Sequence, residues 1–157
     1  MSYKLGYCTL RWKNPDLEPG LEALAAAGWD GWEGRLSLNW MGTPERIRRI
    51  CANTGMPLAV LTANGTPDSR DPENLELNKR RMEFAAEVGC DCFMYMNGRK
   101  PEDRPVSDDD VKAAADGAEM WAEYAGQLGL EISYHIHTNL LVDSIDYWKL
   151  YSAHVDK

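Results

Sequence analysis

Two histidines and one glutamate are the residues of this chain best placed to do chemistry. Residues 130–138 read LEISYHIHT. A strand turns alternate side chains to opposite faces, so Ser133, His135 and His137 share one side, and Ile132, Tyr134 and Ile136 the other. Two of the three histidines in the sequence therefore point the same way at the end of one strand. Imidazole can bind a metal ion, move a proton near neutral pH or hydrogen-bond a substrate. The plainer alternative is a hydrogen-bonded pair that shapes the following loop. Glu33 closes a second strand-like run, WDGWEG at 29–34, on the face opposite Trp32. A carboxyl at such a strand end can bind hydroxyls or act as acid and base. Its plainer alternative is an ion pair with Arg35 or Arg11.

Positioning these groups takes a regular scaffold, and the chain supplies one. Strand-like runs fall at 4–9, 29–34, 57–63, 91–96 and 130–138. Each is followed by a helix-like stretch, and the first four of these end in glycine, at Gly28, Gly55, Gly89 and Gly129. Thr43-Pro44 and Asp71-Pro72 are cap-then-proline starts, and Ser107 with Asp110 forms a capping box. Val111, Ala114, Ala118, Trp121 and Ala125 recur at intervals of three and four, the clearest amphipathic helix in the chain. A last helix opens at Asp143 and Asp146, with Ile145, Trp148 and Tyr151 on its apolar side. Strict alternation of strand and helix implies a parallel sheet with right-handed crossovers.

The connections are unequal. Helix-to-strand joins are almost nothing, whereas strand-to-helix loops are long and polar. The strands' C-terminal ends therefore face the elaborated side, where α/β proteins keep their binding sites. Asn64 and Asn97 each begin such a loop. They could bond substrate hydroxyls, or form Asx turns with the glycine that follows. Trp12 and Trp40 lie in two others, as walls for a sugar ring or as packing on the rim. His154, on the last helix, reads as a solvated or partner-facing residue.

Bulk properties narrow the field. At 157 residues the chain is one domain, 1–157. It carries 17 Lys and Arg against 25 Asp and Glu, a net charge of −8, which argues against nucleic acid as a partner. No apolar run is long enough to span a membrane, and no signal-peptide pattern opens the chain, so a cytoplasmic protein is expected. The four cysteines, without a CxxC spacing, are expected to be reduced and mostly buried.

Counting units leaves two architectures, a flavodoxin-like doubly wound sheet and the first five units of a (β/α)8 barrel. The segments LGYCTLRW, AGWDGWEGRLS, MPLAVLTANG, EVGCDCFMYM and LEISYHIHT resemble the first five strands of the xylose isomerase-like TIM barrels, the sugar phosphate isomerase/epimerase family. The resemblance runs over nearly the whole chain. It implies a parallel TIM barrel truncated after five βα units. It further implies an isomerase or epimerase of a small polyhydroxy carbonyl compound, working by metal-assisted proton transfer. A dehydratase or aldolase on the same scaffold stays open. Relatives hold a divalent metal (Mn, Mg, Co or Zn) with carboxylates and a histidine at the ends of strands five to eight. From its place at the end of the second strand, Glu33 is expected to be the catalytic residue; set beside the family pattern, His135 is expected to be a metal ligand, with further ligands beyond residue 157. Trp12, Asn64, Asn97 and His137 would bind the sugar substrate.

The chain departs from the family pattern twice. Strands six to eight are missing, and the carboxylate usual in strand five is not evident. A second reading follows, a non-catalytic barrel piece whose open first and fifth strands pair with another copy or with a separately encoded remainder. A flavodoxin-like binding module would need an anion-cradling loop after the first strand, and residues 9–14 contain neither Gly nor Ser.

Overall fold

A computed structural model of the chain describes residues 4–155. Its strands are β1 (Gly6–Cys8), β2 (Gly31–Gly34), β3 (Leu58–Thr62), β4 (Cys92–Tyr95) and β5 (Glu131–Tyr134). The helices are α1 (Leu17–Ala26), α2 (Leu38–Met41), α3 (Pro44–Thr54), α4 (Pro72–Val88), α5 (Asp108–Gln127) and α6 (Ile145–Val155), with a 3-10 turn at Asn14–Asp16 before α1. Neighbouring strands are all parallel, and they lie in the order β1-β2-β3-β4-β5.

That order decides between the two architectures. A right-handed crossover to the adjacent parallel strand places its helix on one particular face. Stepping always in the same direction keeps every helix on that face. A doubly wound sheet reverses direction and would read 2-1-3-4-5. The sheet is therefore singly wound, as in a barrel, with the long helices packed side by side as an outer row. Trp32, Leu61 and Phe93 point into this row and are fully buried. Trp121 of α5 seals it, meeting Phe93 and Tyr95 edge-on at 6.1 and 6.0 Å between ring centres. Among the described residues the other face carries no helix. On it Cys8, Glu33, Val60, Cys92 and Glu131 stand in one register row, and Thr62, Met94 and Ser133 in the next.

Local chemistry explains where the helices begin and end. Thr43 accepts from the Arg46 amide at 3.3 Å and Asp71 from the Asn74 amide at 3.0 Å. Ser107 and Asp110 close a full capping box. Gly55 and Gly89 take left-handed backbone angles, φ 70° and 85°, with open space where a side chain would stand. Glycine is required there by conformation rather than by crowding.

Gly117 is the opposite case. A Cβ built there would lie 2.5 Å from the Asp68 amide nitrogen and 2.9 Å from the Pro67 carbonyl carbon. Alanine gains about 1 kcal/mol over glycine in a helix interior. Pushing a backbone loop off a buried helix costs about 1–3 kcal/mol or more. Gly117→Ala is therefore expected to lower stability despite its better helix propensity. A urea midpoint at or above that of the parent chain would show the loop yields freely.

Four expectations are corrected. The last strand stops at Tyr134, so His135 and His137 lie in the loop beyond it; only the His135 amide continues the ladder, donating to the Tyr95 carbonyl at 2.8 Å. Residues Leu38–Met41 form an additional short helix, α2. On α6, Tyr151 is buried, but Ile145 and Trp148 are exposed, because α6 ends the helix row and no described element packs over its outer flank. All four thiols are free, but only Cys90 is buried; Cys8 is exposed because it stands on the helix-free face.

Candidate functional site

The C-terminal ends of the strands carry Glu33, Thr62, His135 and His137. Glu33 sits at the end of β2 on the helix-free face, since its neighbour Trp32 is committed to the core and donates its indole N–H to the Met56 carbonyl at 3.2 Å. Glu33 Oε1 accepts from Arg35 Nε at 2.6 Å and from the Thr62 hydroxyl at 2.9 Å. The pairing with Arg35 is the plainer of the two roles open to Glu33, and it is present. Both bonds fall on Oε1, so they do not use the lone pairs of Oε2. The Cys8 thiol stands alongside; partial desolvation of its sulfur pushes its pKa up, although the residue as a whole is exposed, and the Glu33 charge adds to the rise.

Beneath Thr62 lies Arg81, a fully enclosed guanidinium at 3% exposure. It donates to the Thr62 carbonyl from Nε and Nη2 at 3.0 and 2.7 Å and to the Leu36 carbonyl at 3.2 Å. No carboxylate pairs with it among the described residues, and burial pulls its pKa down to about 10. Arg81 thus ties the loop after β2 to the end of β3, the strand end whose hydroxyl holds Glu33. Neither Thr62 nor Arg81 was marked by sequence reasoning. The available signal was position: Arg81 falls in the same helical stripe as Asn78, Met82 and Ala85, all buried.

The other candidates separate. His135 and His137 are exposed and lie close together, their ring centres 6.0 Å apart and their planes inclined at 29°. His137 Nδ1 is 2.9 Å from the Thr138 carbonyl, an oxygen that can only accept, so Nδ1 is the donor of that bond, and the tautomer that makes it leaves Nε2 as an acceptor. Three strand spacings separate β5 from β2, about 14 Å along the sheet. The histidines and Glu33 are thus on neighbouring parts of one mouth without touching. Asn64 is exposed at the end of β3; its backbone N–H and carbonyl are taken by Asn78, whose side chain is buried.

Two expected substrate contacts are turned the other way. Trp12 lies over Gly20 of α1 and against Tyr7, 5.4 Å between ring centres, so its ring packs on the helix side. Asn97 is buried at 1% exposure beside the Tyr134 and Tyr151 hydroxyls, with neither amide atom in a well-formed hydrogen bond. Strand alternation carries it to the side of Tyr95, whose hydroxyl meets that of Tyr151 at 2.5 Å. Burial pushes the Tyr95 hydroxyl up to about 12. His154 caps its own helix turn through the Leu150 carbonyl.

A metal needs more than this chain collects. Two imidazoles are an incomplete ligand set, and no cluster of three His, Cys, Asp or Glu side chains forms among the described residues. His135 and His137 do not by themselves fit a divalent ion. No helix of the described residues is long and apolar enough to cross a membrane.

A singly wound parallel sheet, with helices outside and polar groups at the strand ends within, defines a TIM-barrel protein of which five βα units are in hand. The model of the xylose isomerase-like TIM barrel family matches residues 21–156, and the chain belongs to that family. A 3-dehydroshikimate dehydratase from Pseudomonas aeruginosa is 32% identical over 124 residues, 73% of this chain and 18% of that protein. The chain thus spans about a fifth of the length of this curated relative. Among solved structures, D-allulose 3-epimerase from Methylomonas sp. in complex with D-allulose superposes on 98% of this chain and 59% of its own, with TM-score 0.78 and 15% identity. The IolI protein with a bound zinc atom covers 99% of this chain and 60% of its own, with TM-score 0.76 and 16% identity. At such identities these likenesses bear on the fold alone.

Proposed function

We propose that the mouth of this five-unit sheet binds a small polyhydroxy carbonyl compound, and that Glu33 moves a proton at the carbon next to the carbonyl. The observation that supports this reading most is the position of Glu33: a carboxylate at a strand end, on the helix-free face, held through one oxygen by Arg35 and Thr62. A base so anchored keeps a fixed direction while its second oxygen remains available. Glu33 would take the proton from the hydroxyl-bearing carbon, and the electron pair left behind would pass into an enediolate. Return of the proton to the other face or to the neighbouring carbon completes epimerisation or isomerisation. Loss of a hydroxide from the next carbon instead would make the reaction a dehydration, the activity that the Pseudomonas relative's name carries. His135 and His137 would bond hydroxyls of the bound compound from the opposite rim.

A second reading keeps the mouth but not the turnover. Among the described residues β1 and β5 each pair with one neighbour, so the sheet has an open edge on either side, and Cys8 on β1 is exposed. Such a sheet could gain its function on pairing with a second copy or a further chain. One assay addresses both readings. The chain is incubated in D2O with D-allulose, D-fructose and related ketoses, and wash-in of deuterium beside the carbonyl is followed by proton NMR. Exchange proportional to protein concentration is expected if one chain suffices, and exchange rising with its square if two are needed. Exchange no faster than buffer across the concentration range rules out proton transfer by this chain.

A further inference from the structure

The two longest mouth loops are zipped to each other. Arg99, after β4, forms an isolated antiparallel bridge with Leu140, after β5, and the Leu141 amide donates to the Gly98 carbonyl at 2.7 Å. Lys100 reinforces the seam through Asp143 at 2.7 Å. The backbone at Arg99 is therefore held in one place, beside His137. Both residues line a hollow of about 310 Å³ over the ends of β3 and β4, together with Ala63, Thr66 and Met96. They also border the adjoining hollow on the rim, about 540 Å³.

The cations around this seam are not alike. Arg104 is bonded to Asp110, Arg70 to Asp68 and Asp110, and Lys100 to Asp143. Arg99 has no ion pair and no side-chain hydrogen bond among the described residues. In a chain of net charge −8, it is the uncommitted cation of the seam, at the mouth and on a pinned backbone. A guanidinium offers a planar fork of donors that matches the two oxygens of a carboxylate. Next to it, His137 Nε2 offers a single acceptor, and an acceptor there suits a ligand hydroxyl.

We infer that Arg99 and His137 together recognise a small hydroxy-carboxylate, a sugar acid rather than a neutral sugar, with the carboxylate on the Arg99 fork and an adjacent hydroxyl donating to His137 Nε2. A single free cation balances one negative charge, which favours a carboxylate over a doubly charged phosphate ester. The inference rests on the proposal that the mouth is the binding site, and it narrows the class of compound bound there.

The test uses the 157-residue chain and three six-carbon probes at constant ionic strength: D-gluconate, D-glucitol and D-glucitol 6-phosphate. Binding is followed by NMR at the Arg99 Nε–H and the His137 ring. Gluconate is expected to bind about tenfold more tightly than glucitol, the scale of one charge-assisted fork on an exposed side chain. Arg99→Gln should erase that advantage and leave glucitol binding unchanged, whereas His137→Ala should weaken both. Equal affinity for gluconate and glucitol would overturn the inference and leave the mouth as a sugar site. Tighter binding of the phosphate ester, or a gluconate preference that survives Arg99→Gln, would overturn it as well. Failure of all three probes to shift any residue of the mouth would remove the inference and the binding site together. Arg99 is exposed, so Arg99→Gln is expected to fold, and an unchanged spectrum away from the mouth verifies this.

Discussion

Substituting Glu33→Gln is expected to slow deuterium wash-in by roughly 10²–10⁴-fold, the usual contribution of a positioned acid or base. The change removes one proton-accepting group and little else. A glutamine can present its carbonyl oxygen where Oε1 stands, so the Arg35 and Thr62 hydrogen bonds at 2.6 and 2.9 Å survive in kind. The Arg35 guanidinium does lose its counter-charge. Both partners are only partly shielded from water, so the loss is about 1 kcal/mol of stability, not the several that a dry pair would show. Rate and stability therefore part company in this variant, and a melting curve recorded beside the exchange assay separates them. Wash-in within twofold of the parent chain would remove Glu33 from the chemistry and leave it a structural partner of Arg35.

Asp110→Ala is expected to cost about 2–3 kcal/mol of unfolding free energy. Asp110 is buried and its carboxylate is saturated: Oδ2 takes Arg104 at 2.6 Å, the Ser107 amide at 3.0 Å and the Ser107 hydroxyl at 2.8 Å, while Oδ1 takes Arg104 at 2.9 Å and Arg70 at 3.2 Å. One residue thus caps α5 and anchors the loops before and beside it. Breaking a dry ion pair costs more, but the arginines are half exposed and can turn to water. The same contacts dictate a pH dependence. Arg104 first, then the Ser107 amide, hold the carboxyl well below the ordinary aspartate range. A depressed folded-state pKa stabilises the fold above the unfolded value, about 3.9. The contribution erodes as pH falls below about 4 and is gone below the folded-state pKa. Stability of the parent chain should therefore drop more steeply between pH 4 and pH 2.5 than that of Asp110→Ala. Parallel curves for the two over this interval would show that Asp110 is not the group responsible.

How much could be read in advance depended on how local the physics was. The caps at Thr43, Asp71 and Ser107 are settled within four residues, and all three are as the sequence implied. Strand–helix alternation and the glycine stops announced the βα repeat, and the segment resemblance indicated the family to which the chain belongs. Side-chain direction past a strand end is less local. Asn97 looked like a mouth residue because it opens a loop, yet alternation from Tyr95 carries it to the helix side. Trp12 was drawn away from the mouth by Gly20, whose missing side chain leaves room for an indole. Arg81 was hidden because an arginine on a helix is normally a surface residue; only the tertiary fold shows two backbone carbonyls converging on it.

The unequal turns have a consequence for anyone remodelling this protein. At the rear, left-handed glycines close α1, α3, α4 and α5 within a few residues of the next strand, leaving no slack for added length. At the front, nine to twelve residues separate β3 from α4 and β4 from α5. Libraries that vary loop size should therefore be confined to the front, and there to the stretches outside the Arg99–Leu140 bridge and the Pro67–Asp68 contact with Gly117, while the turns behind act as an unyielding hinge line.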